Sequence, residues 1–251
     1  MRPGIAALQQ IPVFAGLNDA LLERINALSE VVTAAHGDRI CQQGAVPDIL
    51  YYLLEGQVAL STTAPDGSTA VVEVLQPGQD FVLASVMSLL PYLQSAHVVQ
   101  RARLVAIKAE PLRVIIEREP ELTLALLRSM STDFRNLVRQ IRDLKVRTTA
   151  QRLGAYLLAL VPDPTSPTAD FRLPFEKGLL AARLGCRQEN LSRAFAALRE
   201  LGVETHGARV TLREIPRLTA YAMPDYLTDP DLAKSAMEAA GVEPLSVPAS
   251  A

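Results

Sequence analysis

Glu189, Ser192 and Arg193 stand three and four residues apart, so on a helix they share one face. An arginine in that position can donate two hydrogen bonds to O6 and N7 of a guanine. A glutamate one turn earlier can accept one from the N4 amine of a cytosine. Together with Gln188, these residues form a polar turn suited to reading base edges in a major groove. The other use of Glu189 and Arg193 is a salt bridge along the helix, worth only about 0.3–0.5 kcal/mol, and the two uses can coexist. Arg183, Arg187, Arg209 and Arg213 surround this turn in sequence and suit phosphate contacts, which position a protein on DNA without specifying its sequence.

For these side chains to act together, the chain must hold one short helix on another. Residues 176–200 have the means. Ala181 is small enough for two helices to approach, Gly185 supplies the turn four residues later, and Leu191 follows six residues on, with Leu180 and Leu184 completing an apolar seam. That is the spacing of a helix-turn-helix whose second helix turns its first residues outward. A helix over Thr149 to Leu160 and a proline-broken loop at 162–167 precede it. A hairpin over Val203 to Leu212, turning at His206, Gly207 and Ala208, follows, and the set describes a winged helix. Residues 148–222 hold ten Lys or Arg against seven Asp or Glu, whereas 223–251 hold one Lys against five acids. The positive excess therefore lies where a polyanion would bind.

Upstream, the pattern is different. After a lead-in helix from Asn18 to Leu28, the stretch from Val31 to Ile107 carries short β-type runs at Ile49 to Leu54, Val58 to Ser61, Ala70 to Leu75 and Val98 to Ile107. Turn signals at Gly44, Gly56, Pro65 to Gly67 and Pro77 to Gly78 separate them, which indicates a small barrel or jelly roll. From Pro120 to Arg147 there is no further glycine or proline, and Leu127, Met130, Phe134, Leu137, Ile141 and Leu144 recur at steps of three and four. Flanked by Arg128, Asp133, Arg135, Arg139 and Asp143, this narrow stripe is the seam of a coiled coil and predicts one long helix that pairs two copies of the chain. A core helix would show a wider stripe.

This order of parts resembles the superfamily of the cyclic AMP receptor protein and the fumarate–nitrate reductase regulator (CRP/FNR) over residues 11–222, most specifically at Gly185 to Arg193. Glycines 37, 44, 56 and 78 fall where that family's sensor β-roll turns. The family's recognition helix carries Glu and Arg four residues apart, as Glu189 and Arg193 are here. The intervening Ser192 gives the form of the fumarate–nitrate branch, implying a TTGA-like half-site, while Gln188 replaces the Arg of the receptor-protein branch. The resemblance implies a homodimer on double-stranded DNA, with RNA polymerase as a further partner. Nucleotide-binding members use an Arg-Ser pair for the phosphate and a Glu for the ribose. Alignment on Gly78 to Phe81 places Gln94, Ser95 and Ala84 at those positions.

Only Ser95 survives of that set, and residues 79–97 contain no Lys or Arg to compensate a desolvated phosphate. Cyclic AMP is therefore not expected. The apolar run from Phe81 to Leu93, with Ala84, Met87, Gln94, Ser95 and His97 as the effector-pocket candidates, suits a neutral ligand, haem, or a filled interior. In lacking nucleotide contacts it resembles the nitric-oxide-sensing nitrate-respiration regulators. Axial haem ligands would be His36, His97, Cys41 or a tyrosine. No metal site is expected otherwise, and the lack of an N-terminal cysteine cluster speaks against an iron–sulfur cluster.

The 251 residues, 49% hydrophobic, suffice for two domains, and no apolar run approaches membrane-spanning length. Two isolated cysteines and no signal peptide give the expectation of a cytoplasmic protein. No nucleophile elbow or phosphate loop appears, so no enzyme is expected. The fold class expected is α+β, in four parts: a sensor β-roll at 1–119, a dimerisation helix at 120–147, a winged helix-turn-helix at 148–222, and an acidic, alanine-rich tail at 223–251. The competing function is a dimeric ligand-binding or adaptor module that does not read DNA.

Overall fold

The computed structural model describes residues 1–163, 165–174 and 176–223, arranged as two compact units that divide between Asn136 and Leu137. The tail from residue 224, and the short helix its Asp229, Pro230 and Gly241 suggest, lie outside the described residues.

The first unit opens with α1 (Ile5–Gln9) and α2 (Asp19–Ala27). Asn18 caps α2, its side-chain oxygen accepting the Leu21 N–H at 3.0 Å and so satisfying one of the donors that a helix start leaves open. Six strands follow: β1 (Ser29–Ala34), β2 (Arg39–Cys41), β3 (Ile49–Thr63), β4 (Thr69–Leu75), β5 (Asp80–Phe81) and β6 (Ser95–Lys108). β3 and β6 pair antiparallel from Ile49 opposite Lys108 to Ser61 opposite Ser95. β1 and β2 extend the sheet from β6, and β4 and β5 from β3.

Because side chains alternate along a strand, β3 feeds two cores. Leu50 and Tyr52 join a cluster with α1, α2 and the helices after the sheet, while Tyr51 and Leu53 face the other side with Leu60, Phe81, Val98 and Leu104. Gly56 does not end a strand, as a turn would. β3 runs through it, with three register shifts between Leu53 and Val58. A Cβ at Gly56, where φ is +86°, would lie 2.2 Å from the Arg101 carbonyl oxygen. The glycine marks a bulge where two backbones approach closely.

Within the apolar run after β5, α3 (Leu83–Ser88) is flanked by Val82 and Leu89, both at positive φ. Its Leu83 and Val86 are buried. Then come α4 (Ala109–Arg118) and the 27-residue α5 (Pro120–Val146), of which only Leu122 and Leu126 are buried.

The second unit contains α6 (Thr149–Ala159), β7 (Ala169–Arg172), α7 (Lys177–Arg183), α8 (Gln188–Arg199), β8 (Val203–His206), β9 (Arg209–Leu212) and α9 (Ile215–Ala222). Thr148 and Gln151 cap α6 reciprocally, and the strands form an antiparallel sheet in the order β7, β9, β8. The core is α6, α8 and α9 closed over Val203, Val210 and Leu212.

One polar contact ties β5 to α5 within the first unit. The largely buried Asp80 accepts a hydrogen bond from Ser129 Oγ at 3.4 Å, and burial, then the neighbouring Asp133, push its carboxyl up to about 6. Burial and the same two carboxylates hold the Tyr52 phenol well above its usual range. A carboxyl raised in the folded state is a liability once ionised. Stability is fully present below the ordinary carboxyl value near 4 and is lost as pH rises through about 6. Asp80→Asn should therefore raise stability at pH 7.5 by about 1–3 kcal/mol and leave it unchanged at pH 4, as read by denaturant unfolding. A variant no more stable than wild type at pH 7.5 would contradict this account of the carboxyl.

Candidate nucleic-acid interface

α7 ends where Gly185 adopts φ +62°, with the Gly185 N–H donating to Ala182 O at 2.9 Å and the Cys186 N–H to Ala181 O at 3.0 Å. This paired closure satisfies two carbonyls that the helix end leaves open and turns the chain sharply into α8. Leu180, Ala181 and Leu184 on α7, with Leu191, Ala194, Phe195 and Leu198 on α8, are buried against Leu153 and Leu157 of α6. The burial of one face of α8 fixes the other. Gln188, Glu189, Ser192 and Arg193 are all exposed.

Among the described residues, Glu189 and Arg193 form no ion pair with each other, so both side chains keep their hydrogen-bonding capacity. Gln188 behaves differently from its neighbours. Its Nε2 lies 2.9 Å from where a Cβ on Gly178 would stand, so the side chain lies back on the start of α7 rather than projecting with the other three.

The four candidate phosphate arginines also differ. Arg187 is the exposed N-cap residue of α8 and makes no side-chain capping bond. The Arg183 guanidinium sits 5.8 Å from the Tyr156 ring centroid. On the wing, Arg209 Nε donates to both oxygens of Asp170 at 2.7 and 3.0 Å, and Arg213 reaches Glu204 with two bonds of 3.2 and 3.0 Å. These guanidinium donors hold the Asp170 and Glu204 carboxyls below the usual carboxylate range. Each wing arginine is therefore paired with an exposed carboxylate in the single chain. Asp170 enters on β7, a strand too short to announce itself in the sequence pattern.

Leu127, Met130, Phe134, Leu137, Ile141 and Leu144 are between 38% and 66% exposed in the single chain, an apolar stripe along α5 far larger than isolated surface leucines would give.

The effector-pocket candidates lie on α3 and at the start of β6. Ala84 and Met87 are exposed on α3, and Gln94 is half-buried. Ser95 Oγ accepts the Gln43 N–H at 3.0 Å, and half-buried His97 lies opposite Arg39 and Ala59 in the sheet. The sheet's inner cluster contains Tyr51 stacked on Phe81 at 5.2 Å, and Tyr92, whose hydroxyl donates to Ile49 O at 2.9 Å. His36 is exposed with Nδ1 2.7 Å from Val99 O, and burial raises the Cys41 thiol to about 11, which keeps it protonated. A cleft of about 610 Å³ in this unit has other walls, among them Pro12, Val13, Leu17, Leu124 and Arg128. Among the described residues no three His, Cys, Asp or Glu side chains gather as metal ligands.

Residues 31–119 match the family model of the cyclic nucleotide-binding domain, and residues 151–221 that of the Crp-like helix-turn-helix domain. The chain is 23% identical over 219 residues to the CRP-like cAMP-activated global transcriptional regulator of Mycobacterium tuberculosis, covering 86% of this chain and 98% of that one. It is 25% identical over 171 residues to the global nitrogen regulator of a Nostoc species, covering 66% and 77%. Its fold is that of FixK2 from Bradyrhizobium japonicum, at TM-score 0.64 and 18% identity over 77% of this chain and 96% of that one. A Thermus thermophilus transcriptional regulator of the CRP/FNR family shares it at TM-score 0.60 and 24% identity, covering 78% and 99%. Among the described residues no helix is long and apolar enough to cross a membrane.

Proposed function

Since the chain belongs to the CRP/FNR superfamily of helix-turn-helix transcription regulators, we propose that it binds a two-fold symmetric operator as a homodimer, reading TTGA-like half-sites with Glu189, Ser192 and Arg193. The observation that carries this reading is the exposed, mutually unpaired Glu189 and Arg193 on the first turns of a helix whose opposite face is locked into the core. Arginine takes guanine and glutamate takes cytosine. Arg187, at the same end of the helix, takes a phosphate. The exposed stripe on α5 supports pairing of two chains, since knobs from one helix would fill the holes of its partner and place two reading heads one DNA turn apart.

The relative from M. tuberculosis is named as activated by cAMP. For this chain we propose a signal other than a cyclic nucleotide. Ala84 offers no carboxylate for a ribose and Gln94 no charge for a phosphate, residues 79–97 contain no Lys or Arg, and Tyr51, Phe81 and Tyr92 pack inside the sheet. Calorimetry with cyclic AMP and cyclic GMP should show no saturable heat below about millimolar ligand. A micromolar dissociation constant would mean that backbone N–H groups alone hold the phosphate, and would overturn the proposal.

A charge placed at the centre of the α5 stripe must be buried or part the pair. Phe134→Glu should sediment as a monomer at micromolar protein where wild type sediments as a dimer. An intact dimer of Phe134→Glu would refute the seam.

Loss of a bidentate arginine–guanine contact costs about 1–3 kcal/mol per half-site, and a symmetric dimer loses it twice. Arg193→Ala should therefore weaken binding to a TTGA-type palindrome by about tenfold or far more, with little change on scrambled duplex. Arg187→Ala should weaken both duplexes together and flatten the salt dependence, because a phosphate contact releases counterions but carries no base information. Titration of each variant against both duplexes at two salt concentrations separates the roles. Equal weakening of the two duplexes by Arg193→Ala would remove α8 as the reading head and favour an adaptor that does not read DNA.

A further inference from the structure

Arg152, in the first turn of α6, reaches the ends of two other helices at once. Its Nε donates to Leu184 O, at the end of α7, at 3.0 Å. Its Nη1 donates to Arg147 O at 2.8 Å and to Asp143 O at 3.5 Å, where α5 ends, and Nη2 donates to Thr149 Oγ1 at 3.4 Å. Helix carboxyl ends carry partial negative charge, so a cation set between two of them is attracted to both. A guanidinium serves them together because its donors diverge in one rigid plane, whereas an ammonium gathers its three donors on one atom at the end of a flexible stem and is less pre-organised to span both.

The surroundings reinforce the bracket. The buried Arg147 donates from Nη2 to Met223 O at 2.9 Å and pairs with Asp143 at 3.2 Å. Leu144 lies so close to the helix-turn-helix bend that a Cβ on Gly185 would stand 2.6 Å from its Cδ2. The last turns of α5 accordingly belong to the same compact unit as α6 to α9.

We propose that Arg152 is a positioning residue for operator binding: it fixes the helix-turn-helix bend to the end of α5, so that the recognition helix is carried by the dimerisation helix as one rigid piece. This rests on the reading of the protein as a DNA-binding dimer paired along α5. Its consequence is a geometric one. The distance between two half-sites that the dimer accepts is set by the bracket, while contact with one half-site is not. A residue that merely stabilised the fold would weaken every DNA complex alike.

The test compares full-length wild type, Arg152→Met and Arg152→Lys on four duplexes: a TTGA-type palindrome, the same palindrome with two base pairs inserted at its centre, a single half-site, and a scrambled sequence. Thermal melting verifies folding. Wild type should lose about tenfold or more on the insertion, because two reading heads held at fixed separation cannot follow half-sites that move apart and rotate. Arg152→Met should bind the half-site within about twofold of wild type, bind the palindrome about tenfold more weakly, and show an insertion penalty below about threefold. Arg152→Lys, which keeps the charge but gathers its donors on one atom of a flexible stem, should lie between the two. The proposal is overturned if Arg152→Met weakens half-site and palindrome by one common factor, or keeps the wild-type insertion penalty. If the methionine variant does not fold, a folded Arg152→Lys with wild-type spacing preference overturns it equally. Wild type that binds the palindrome no better than scrambled DNA would instead sink the underlying reading of a DNA-binding dimer, an outcome distinct from a bracket that fails in a protein that does read DNA.

Discussion

Leu144 and Gly185 meet at a distance that leaves no room for a single added methyl group, and the left-handed backbone at Gly185 is what allows it. Much of the DNA-binding unit depends on that bend. Closing α7 with a glycine releases the chain into α8 at an angle that buries Leu191, Ala194, Phe195 and Leu198, and the same rotation leaves Glu189, Ser192 and Arg193 in solvent. An alanine at 185 would be strained at this φ and would push the end of the Leu144 side chain aside. The proposed base reading thus depends on a backbone conformation open chiefly to the smallest residue.

The first unit solves a different problem with the same economy of polar groups. Its two long strands, β3 and β6, supply alternate side chains to two cores, and polar groups that enter are best compensated. Ser29 does so by donating to Ile25 O at 2.6 Å, and Tyr92 by donating to Ile49 O. Asp80 does so incompletely, with a long bond from Ser129 and a second carboxylate nearby. The Tyr52 hydroxyl and Gln76 Nε2, both buried, find no hydrogen-bond partner.

The fold class was legible because its two signals have different periods: β-type runs between turn residues up to Ile107, then steps of three and four from Leu127. The helix-turn-helix was legible because a small residue, a glycine and a leucine at set offsets, which any tight helical hairpin could show, are joined here by a polar first turn and a following wing. What escaped has physical reasons. Gly56 reads as a turn in sequence, yet a bulge needs the same glycine, and only the partner strand's Arg101 carbonyl distinguishes the two. α4 carries Pro111 in its first turn, where proline is tolerated although it resembles a boundary. β7 alternates as Ala169, Asp170, Phe171 and Arg172, but over four residues only, too short a run to claim a strand, so the carboxylate opposite Arg209 could not be foreseen. Gln188 is exposed like its neighbours, and the direction of its amide, which rests near Gly178, is not encoded in composition.

The central claim is that this chain reads a symmetric DNA sequence through α8, and selection of bound duplexes from a pool of random sequence by the full-length wild-type protein tests it most directly. The account predicts enrichment of a two-fold symmetric site with TTGA-like halves whose centres lie about one helical turn apart. A bound pool with no enriched sequence, or with a single asymmetric element, would contradict it.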